Sequence, residues 1–140
     1  MFEIKELRVQ SGMSDNKSLM LGLRTTIYMV GDIVEGTKWY SEAFNTKPYF
    51  NEPFYVGFNI GGYELGLQSE DRDINLKTEN VFSYWGVNNI SEAYQHLLNL
   101  GATKHEEPNN VGDDIMVASL YDPWRNIIGI IYNPHFKLSN

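Results

Sequence analysis

Val30-Gly31-Asp32-Ile33 and Val87-Asn88-Asn89-Ile90 stand 57 positions apart, and Thr46-Lys47 stands the same 57 positions before Thr103-Lys104. One offset shared by both ends of a segment means two stretches of equal length laid out to one plan. Between the anchors each stretch reads as a helix. Asp32 and Asn89 are N-cap residue types, and Glu35 and Glu92 follow three places on, the capping-box pattern in which an acid reaches back to an unpaired N–H. Ile90, Ala93, Tyr94, Leu97 and Leu98 make an apolar stripe at helical spacing, and Ile33, Thr37, Tyr40 and Phe44 make a weaker one. Asn45 and Gly101, which tolerate the left-handed conformation, end the two helices.

Segments rich in β-branched and aromatic residues flank both helices. Leu23 to Val30 and Phe82 to Val87 precede them. Tyr49 to Asn51, Phe54 to Ile60 and Tyr63 to Gln68 follow the first; Lys104 to Glu107, Ile115 to Tyr121 and Ile127 to Tyr132 follow the second. Gly61-Gly62 suits a two-residue hairpin, and Asp122-Pro123 opens a turn in which proline presets φ. The order β-α-β-β-β therefore occurs twice. It predicts an α+β fold of tandem βαβββ modules, residues 21–69 and 81–135, within a single domain spanning 21–140. Residues 69–80, with six charges in twelve positions, read as the linker. Residues 1–20 read as an N-terminal extension in which Phe2, Ile4, Leu7 and Val9 suit an edge strand or arm.

Composition narrows the chemistry. A chain of 140 residues with 42% hydrophobic and 21% charged residues buries enough surface to fold unaided. Its net charge of −7 repels phosphate backbones and no basic patch offsets it, so nucleic acid is not an expected partner. Without cysteine, thiolate nucleophiles and cysteine-based metal sites are excluded. The charged N-terminal stretch lacks the apolar core of a signal peptide, and the longest apolar run, Ile127 to Tyr132, is far shorter than the ~20 residues of a membrane span. The expectation is a soluble, cytoplasmic protein with no membrane partner.

The valine–acidic–isoleucine helix starts and the turn Asp122-Pro123-Trp124-Arg125-Asn126 resemble the vicinal oxygen chelate superfamily, the group of glyoxalase I, extradiol dioxygenases, fosfomycin-resistance enzymes and bleomycin-resistance proteins. The resemblance runs from about Leu21 to Pro134. Family members usually carry Asp-Pro-Asp/Glu-Gly-Asn at that turn; here Trp124 and Arg125 replace the acid and the glycine. It implies two modules whose strands curl as a mixed sheet around an open cavity, commonly completed in a homodimer. It also implies up to four metal-ligating side chains, which carry over to Thr25, Gly66, Phe82 and Gly129. Apart from a weak hydroxyl at Thr25 none can ligate, and a catalytic metal typically wants imidazoles plus carboxylate. The expectation is therefore no metal, no cofactor and no identified catalytic residue. His96, His105 and His135 share no ligand spacing and read as surface residues, and Glu106-Glu107 as solvated charge.

If those four positions face the cavity, strand alternation adds Leu23, Ile27, Met29, Glu64, Gln68, Tyr84, Ile127 and Ile131. Tyr28, Val30, Leu65, Leu67, Ser83, Trp85, Val87, Ile128 and Ile130 then form the core under the helices. The candidate ligand-binding residues are Thr25, Ile27, Met29, Tyr55, Glu64, Gln68, Phe82 and Tyr84: apolar and aromatic walls with a few polar handles, the make-up of a small-molecule pocket. Trp39 and Trp124 suit either added aromatic surface in the cavity or a dimer contact or loop surface. The function expected is metal-free sequestration of a bulky, aromatic, cationic small molecule in the manner of the bleomycin-resistance proteins. The rivals are a lyase or dioxygenase with a non-standard metal site, acid–base catalysis by Glu64 and Tyr84, and a degenerate interaction domain.

Overall fold

The protein, represented by a computed structural model, is described over residues 19–70 and 77–137. The first half contains β1 (Thr25–Val30), α1 (Ile33–Ala43), β2 (Phe50–Glu52), β3 (Tyr55–Ile60) and β4 (Tyr63–Ser69). The second contains β5 (Tyr84–Gly86), α2 (Ile90–Asn99), β6 (Thr103–Gly112), β7 (Ile115–Tyr121) and β8 (Ile127–Tyr132). Each half makes one four-stranded mixed sheet, ordered β1-β4-β3-β2 and β5-β8-β7-β6. The first strand of each module runs parallel to the last, and the other pairings are antiparallel. This is the α+β fold of twin βαβββ modules that the repeat predicts.

The N-cap side of both predicted boxes forms. Asp32 Oδ1 accepts from Val34 N at 2.8 Å and Glu35 N at 3.1 Å, and Asn89 Oδ1 accepts from Glu92 N at 3.0 Å. Asn45 and Gly101 close the helices with φ of 49° and 99°. Gly61 and Gly62, at φ of 60° and 94°, make the primed turn that leaves Ile60 paired with Tyr63.

Several strand boundaries differ from the sequence expectation. β1 begins at Thr25 because Leu23 is exposed and unpaired in the sheet. β5 is shorter, starting at Tyr84, although Ser83 O still accepts from Gly129 N at 3.1 Å. β2 begins one residue late, at Phe50, with Tyr49 N bonded to Gly57 O at 2.9 Å. β6 runs on to Gly112 through Pro108. As an edge strand with β7 on one side only, and with register shifts along the pairing, it has room for a residue that lacks an N–H. The described ends of the linker are tied down: Lys77 Nζ donates to Met29 O and Trp124 O, both at 2.8 Å, and pairs with Glu70 at 2.5 Å. Residues 1–18, most of the predicted extension, lie outside the described residues.

Both helices cover one face of the sheets, and the core forms there as one cluster. Tyr28, Val30, Leu65, Leu67, Trp85, Ile128 and Ile130 are all buried, as strand parity requires. Within it the 57-residue offset reappears as contact. Trp85 Nε1 donates to the Tyr28 hydroxyl at 3.1 Å, and the hydroxyls of Thr26 and Ser83 lie 3.2 Å apart. Residues equivalent in two copies of one plan touch each other only near the two-fold axis relating them, so this axis runs between β1 and β5.

Other contacts lock the modules together. Trp39 Nε1 donates to Leu100 O at 2.7 Å, and its ring meets those of Tyr40 and Trp124 edge-on. Both tryptophans thus pack, partly buried, between modules, a place that neither the cavity surface nor the dimer or loop contact expected for them describes. The buried Tyr40 hydroxyl donates to Asp122 Oδ2 at 2.6 Å; Asn126 Nδ2 gives that oxygen a second bond, and Trp124 N and Asn126 N satisfy Oδ1. Burial raises the Asp122 pKa above 3.8 against the opposing pull of these donors. Removing the Tyr40 donor raises it further. Tyr40→Phe should therefore cost about 1.5–3 kcal/mol in urea unfolding at neutral pH. The deficit should shrink as pH falls through the Asp122 pKa, because a protonated carboxyl needs the donor less; a pH-independent deficit would contradict this.

Candidate functional site

The face opposite the helices carries the candidate residues. Register places Thr25 beside Glu64, Ile27 beside Gly66 and Met29 beside Gln68, all with the parity that points away from the core. Gly57 pairs with Gly66, and Tyr55, two residues earlier, shares that face. Tyr84 pairs with Gly129, and the Phe82 ring lies 6.3 Å from that of Tyr84. Much of the face is open: Ile27 is 46% exposed, Phe82 36% and Tyr84 38%.

Two carboxylate-centred clusters are built on it. In the first module Glu64 accepts from both the Tyr49 and the Tyr55 hydroxyls. These bonds raise the Tyr49 pKa, and burial followed by the Glu64 bond raises that of Tyr55, so both phenols stay protonated donors at neutral pH. Phe50 and Phe54 extend the aromatic surface beside them. In the second module Glu79 accepts from the Tyr121 hydroxyl at 2.6 Å, which raises the Tyr121 pKa, and lies 3.0 Å from His105 Nε2. His105 Nδ1 meets Ser119 Oγ at 2.7 Å, and the His105 ring meets Phe82 and Tyr121 edge-on. Burial, then the charge of Glu106, raises the Tyr84 pKa.

The structure thus joins Tyr55 to Glu64 and Phe82 to Tyr84. The partners of Glu64 are Tyr49 and Tyr55 rather than Tyr84, so the acid–base pairing of Glu64 with Tyr84 has no contact behind it. His105 is half-buried and bonded at both nitrogens, not the surface histidine expected. His96 bonds Glu42 O and His135 bonds Asp113 O, so all three histidines hold structure together. Sequence reasoning missed Tyr49, Glu79, His105, Ser119 and Tyr121. Ser119 and Tyr121 were within reach, since they alternate with the core residues Ala118 and Leu120 on β7. Glu79 gave no signal within its charged stretch, and the irregular β6 hid the facing of His105.

The residues at the four family metal positions do not fit a metal ion. A Cβ on Gly66 would fall 2.2 Å from the Tyr55 hydroxyl, and one on Gly129 would fall 2.6 Å from Ser83 O and 2.8 Å from the Tyr84 ring. In each module a tyrosine thus occupies the space above the strand glycine where a ligating side chain would stand. Among the described residues no three His, Asp or Glu side chains gather into a metal-holding group. A cavity of about 610 Å³ opens beside the second cluster, lined by Lys77, Glu79, Gly101, Thr103, Tyr121, Asp122, Pro123 and Arg125; none of the eight candidate residues lines it.

Residues 22–130 match the sequence model of the glyoxalase/bleomycin resistance protein/dioxygenase superfamily. No curated protein matches the chain. Several solved structures share its fold at low identity. A glyoxalase-related enzyme from Fulvimarina pelagi is 17% identical, with a TM-score of 0.68 over 86% of this chain and 94% of that one. The fosfomycin resistance protein FosX from Listeria monocytogenes is 15% identical, with a TM-score of 0.69 over 84% and 97%. A glyoxalase/bleomycin resistance protein/dioxygenase family enzyme from Burkholderia phytofirmans is 18% identical, with a TM-score of 0.65 over 77% and 95%.

The filled metal positions give a direct prediction. Gly129→His should destabilise the protein by about 2–4 kcal/mol in urea unfolding, because backbone as well as a ring must shift. Thr25→His, at an exposed strand end, should change stability by less than about 0.5 kcal/mol. Equal tolerance at the two positions would contradict the closed geometry at Gly129.

Proposed function

The chain belongs to the glyoxalase/bleomycin resistance protein/dioxygenase superfamily, and from that premise we propose that it is a metal-free binding protein that sequesters a bulky, aromatic, cationic small molecule on the helix-free face. The observation that carries this reading is the pair of tyrosines over Gly66 and Gly129, which puts aromatic surface where the family's metal ligands would stand. Glu64 supplies the charge. It already accepts two phenol hydrogen bonds, and a carboxylate has about four acceptor sites, so a cationic group can add without displacing either tyrosine. Phe82 and Tyr84 offer ring faces for stacking and cation–π contact, Thr25 and Gln68 offer polar handles, and Ile27 and Met29 complete an apolar floor. We place the ligand between two copies of the chain in a cytoplasmic homodimer. The exposed Ile27, Tyr49, Phe50, Phe54, Phe82 and Tyr84 support this, since so much open apolar surface is unusual on a monomer.

Ethidium, a bulky aromatic cation, and neutral phenanthridine, its ring system without the charge, separate the terms. Ethidium should raise the Tm and bind at least about tenfold more tightly than phenanthridine, and Glu64→Gln should remove that preference. Sedimentation of the free protein should give a dimer. Stoichiometric bound metal with metal-dependent stabilisation would overturn the reading, as would equal binding of both compounds.

A further inference from the structure

Arg125 is the fourth residue of the β7–β8 turn motif Asp122-Pro123-Trp124-Arg125-Asn126, and its φ is +68°, a backbone conformation that favours glycine. The turn itself makes no demand for arginine. Its bonds are made by the Asp122 carboxylate, by Asn126 and by the backbone: Arg125 N donates to Asp122 O at 3.0 Å, which any residue but proline would do. Among the described residues the Arg125 guanidinium has no hydrogen-bond or ion-pair partner. Strain held by a side chain that does nothing for the fold is a mark of function.

Arg125 lines the cavity of about 610 Å³, together with Glu79, Thr103, Tyr121, Gly101 and Pro123. The other two charged lining residues are spent. Lys77 is bound to Glu70, Met29 O and Trp124 O, and both carboxylate oxygens of Asp122 are engaged by Tyr40, Trp124 and Asn126. Among the described residues of the lining that leaves one free cation, Arg125, and one carboxylate with acceptor sites to spare, Glu79, whose position is fixed by Tyr121 and His105. Glu79 opposes a dianion such as a phosphate monoester, and Arg125 opposes a simple amine. A molecule bearing one carboxylate and one ammonium satisfies both, and the volume suits a small metabolite. We propose that this cavity is a binding site for an amino-acid-type zwitterion, its carboxylate taken by the planar fork of Arg125 and its ammonium by Glu79, with the Thr103 and Tyr121 hydroxyls beside them. This site adjoins the helix-free face through the Glu79–His105–Phe82 contacts but includes none of the eight residues proposed for the ligand there.

The test is a thermal-shift screen of the standard L-amino acids, followed by calorimetry on the best binder, its deaminated carboxylic acid and its decarboxylated amine. The zwitterion should raise the Tm, and each single-charge analogue should bind at least about tenfold more weakly. Arg125→Gly makes a clean variant, because glycine relieves the positive φ. It should melt above the unaltered protein and bind the amino acid at least about tenfold more weakly. Glu79→Gln should weaken the amino acid and leave the carboxylic acid bound at least as tightly as before. No shift from any amino acid, binding unaltered in Arg125→Gly, or a carboxylic acid binding as tightly as its amino acid would each overturn the proposal. Ethidium binding should survive Arg125→Gly, so failure here and failure of the sequestration reading are separately visible.

Discussion

The contact between the Tyr40 hydroxyl and the Asp122 carboxylate decides how the two modules sit. α1 belongs to the first module and the β7–β8 turn to the second, and this 2.6 Å bond is a buried polar link between them that engages a carboxylate. Asp122 receives three further bonds from its own turn, so the carboxylate fixes the turn and the module interface together. Losing one donor would leave a buried charge underserved, which costs more than the net worth of an ordinary hydrogen bond. Around this link Trp39 bonds Leu100 O, Trp85 bonds Tyr28, and Lys77 ties β1 to the same turn. The helix-free faces of the two sheets are side by side because of these contacts.

Each module solves the same packing problem in the same way. A glycine on the last strand leaves a hollow, and a tyrosine fills it: Tyr55 over Gly66, Tyr84 over Gly129. The tyrosines differ in origin, one from β3 and one from β5, so the likeness is one of space and not of sequence position. Their phenol oxygens differ too. Tyr55 is committed to Glu64, whereas Tyr84 is influenced by Glu106 only through its charge. The first module therefore presents a fixed acid and the second a freer aromatic wall.

Most of the fold was legible because it rests on local rules repeated twice. Caps at Asp32 and Asn89, left-handed closures at Asn45 and Gly101, and the Gly61-Gly62 turn each follow from one residue's stereochemistry. The split between core and open face followed from strand parity, which holds wherever register is regular. It gives no guide at β6, where register shifts break the alternation and His105 bonds Ser119. The Tyr49–Glu64 and Glu79–Tyr121 pairs join residues 15 and 42 positions apart, and no local pattern announces such contacts. The tryptophans illustrate the same limit: the type favours both interfaces and wet surfaces, and only the module packing put Trp39 and Trp124 inside.

On the proposed reading, the open face by itself holds a cationic ligand too weakly. On an exposed surface, a carboxylate and a cation about 4 Å apart gain roughly 1 kcal/mol, rising to about 4 when partly shielded from water. An exposed ring contributes about 0.5–1 kcal/mol in cation–π contact. Glu64 with one or two rings on a face as open as this one therefore supplies only a few kcal/mol, which corresponds to a dissociation constant of millimolar order or weaker. Sequestration needs far tighter binding. The missing free energy has to come from excluding water, which strengthens the charge interaction and buries more of the ligand's aromatic area at about 25 cal/mol per Å². The apolar residues exposed around Glu64, from Ile27 to Phe54, would otherwise be a liability in water. A partner laid across them covers the face and encloses the ligand in one step, so on this reading dimerisation and binding are two sides of a single burial event.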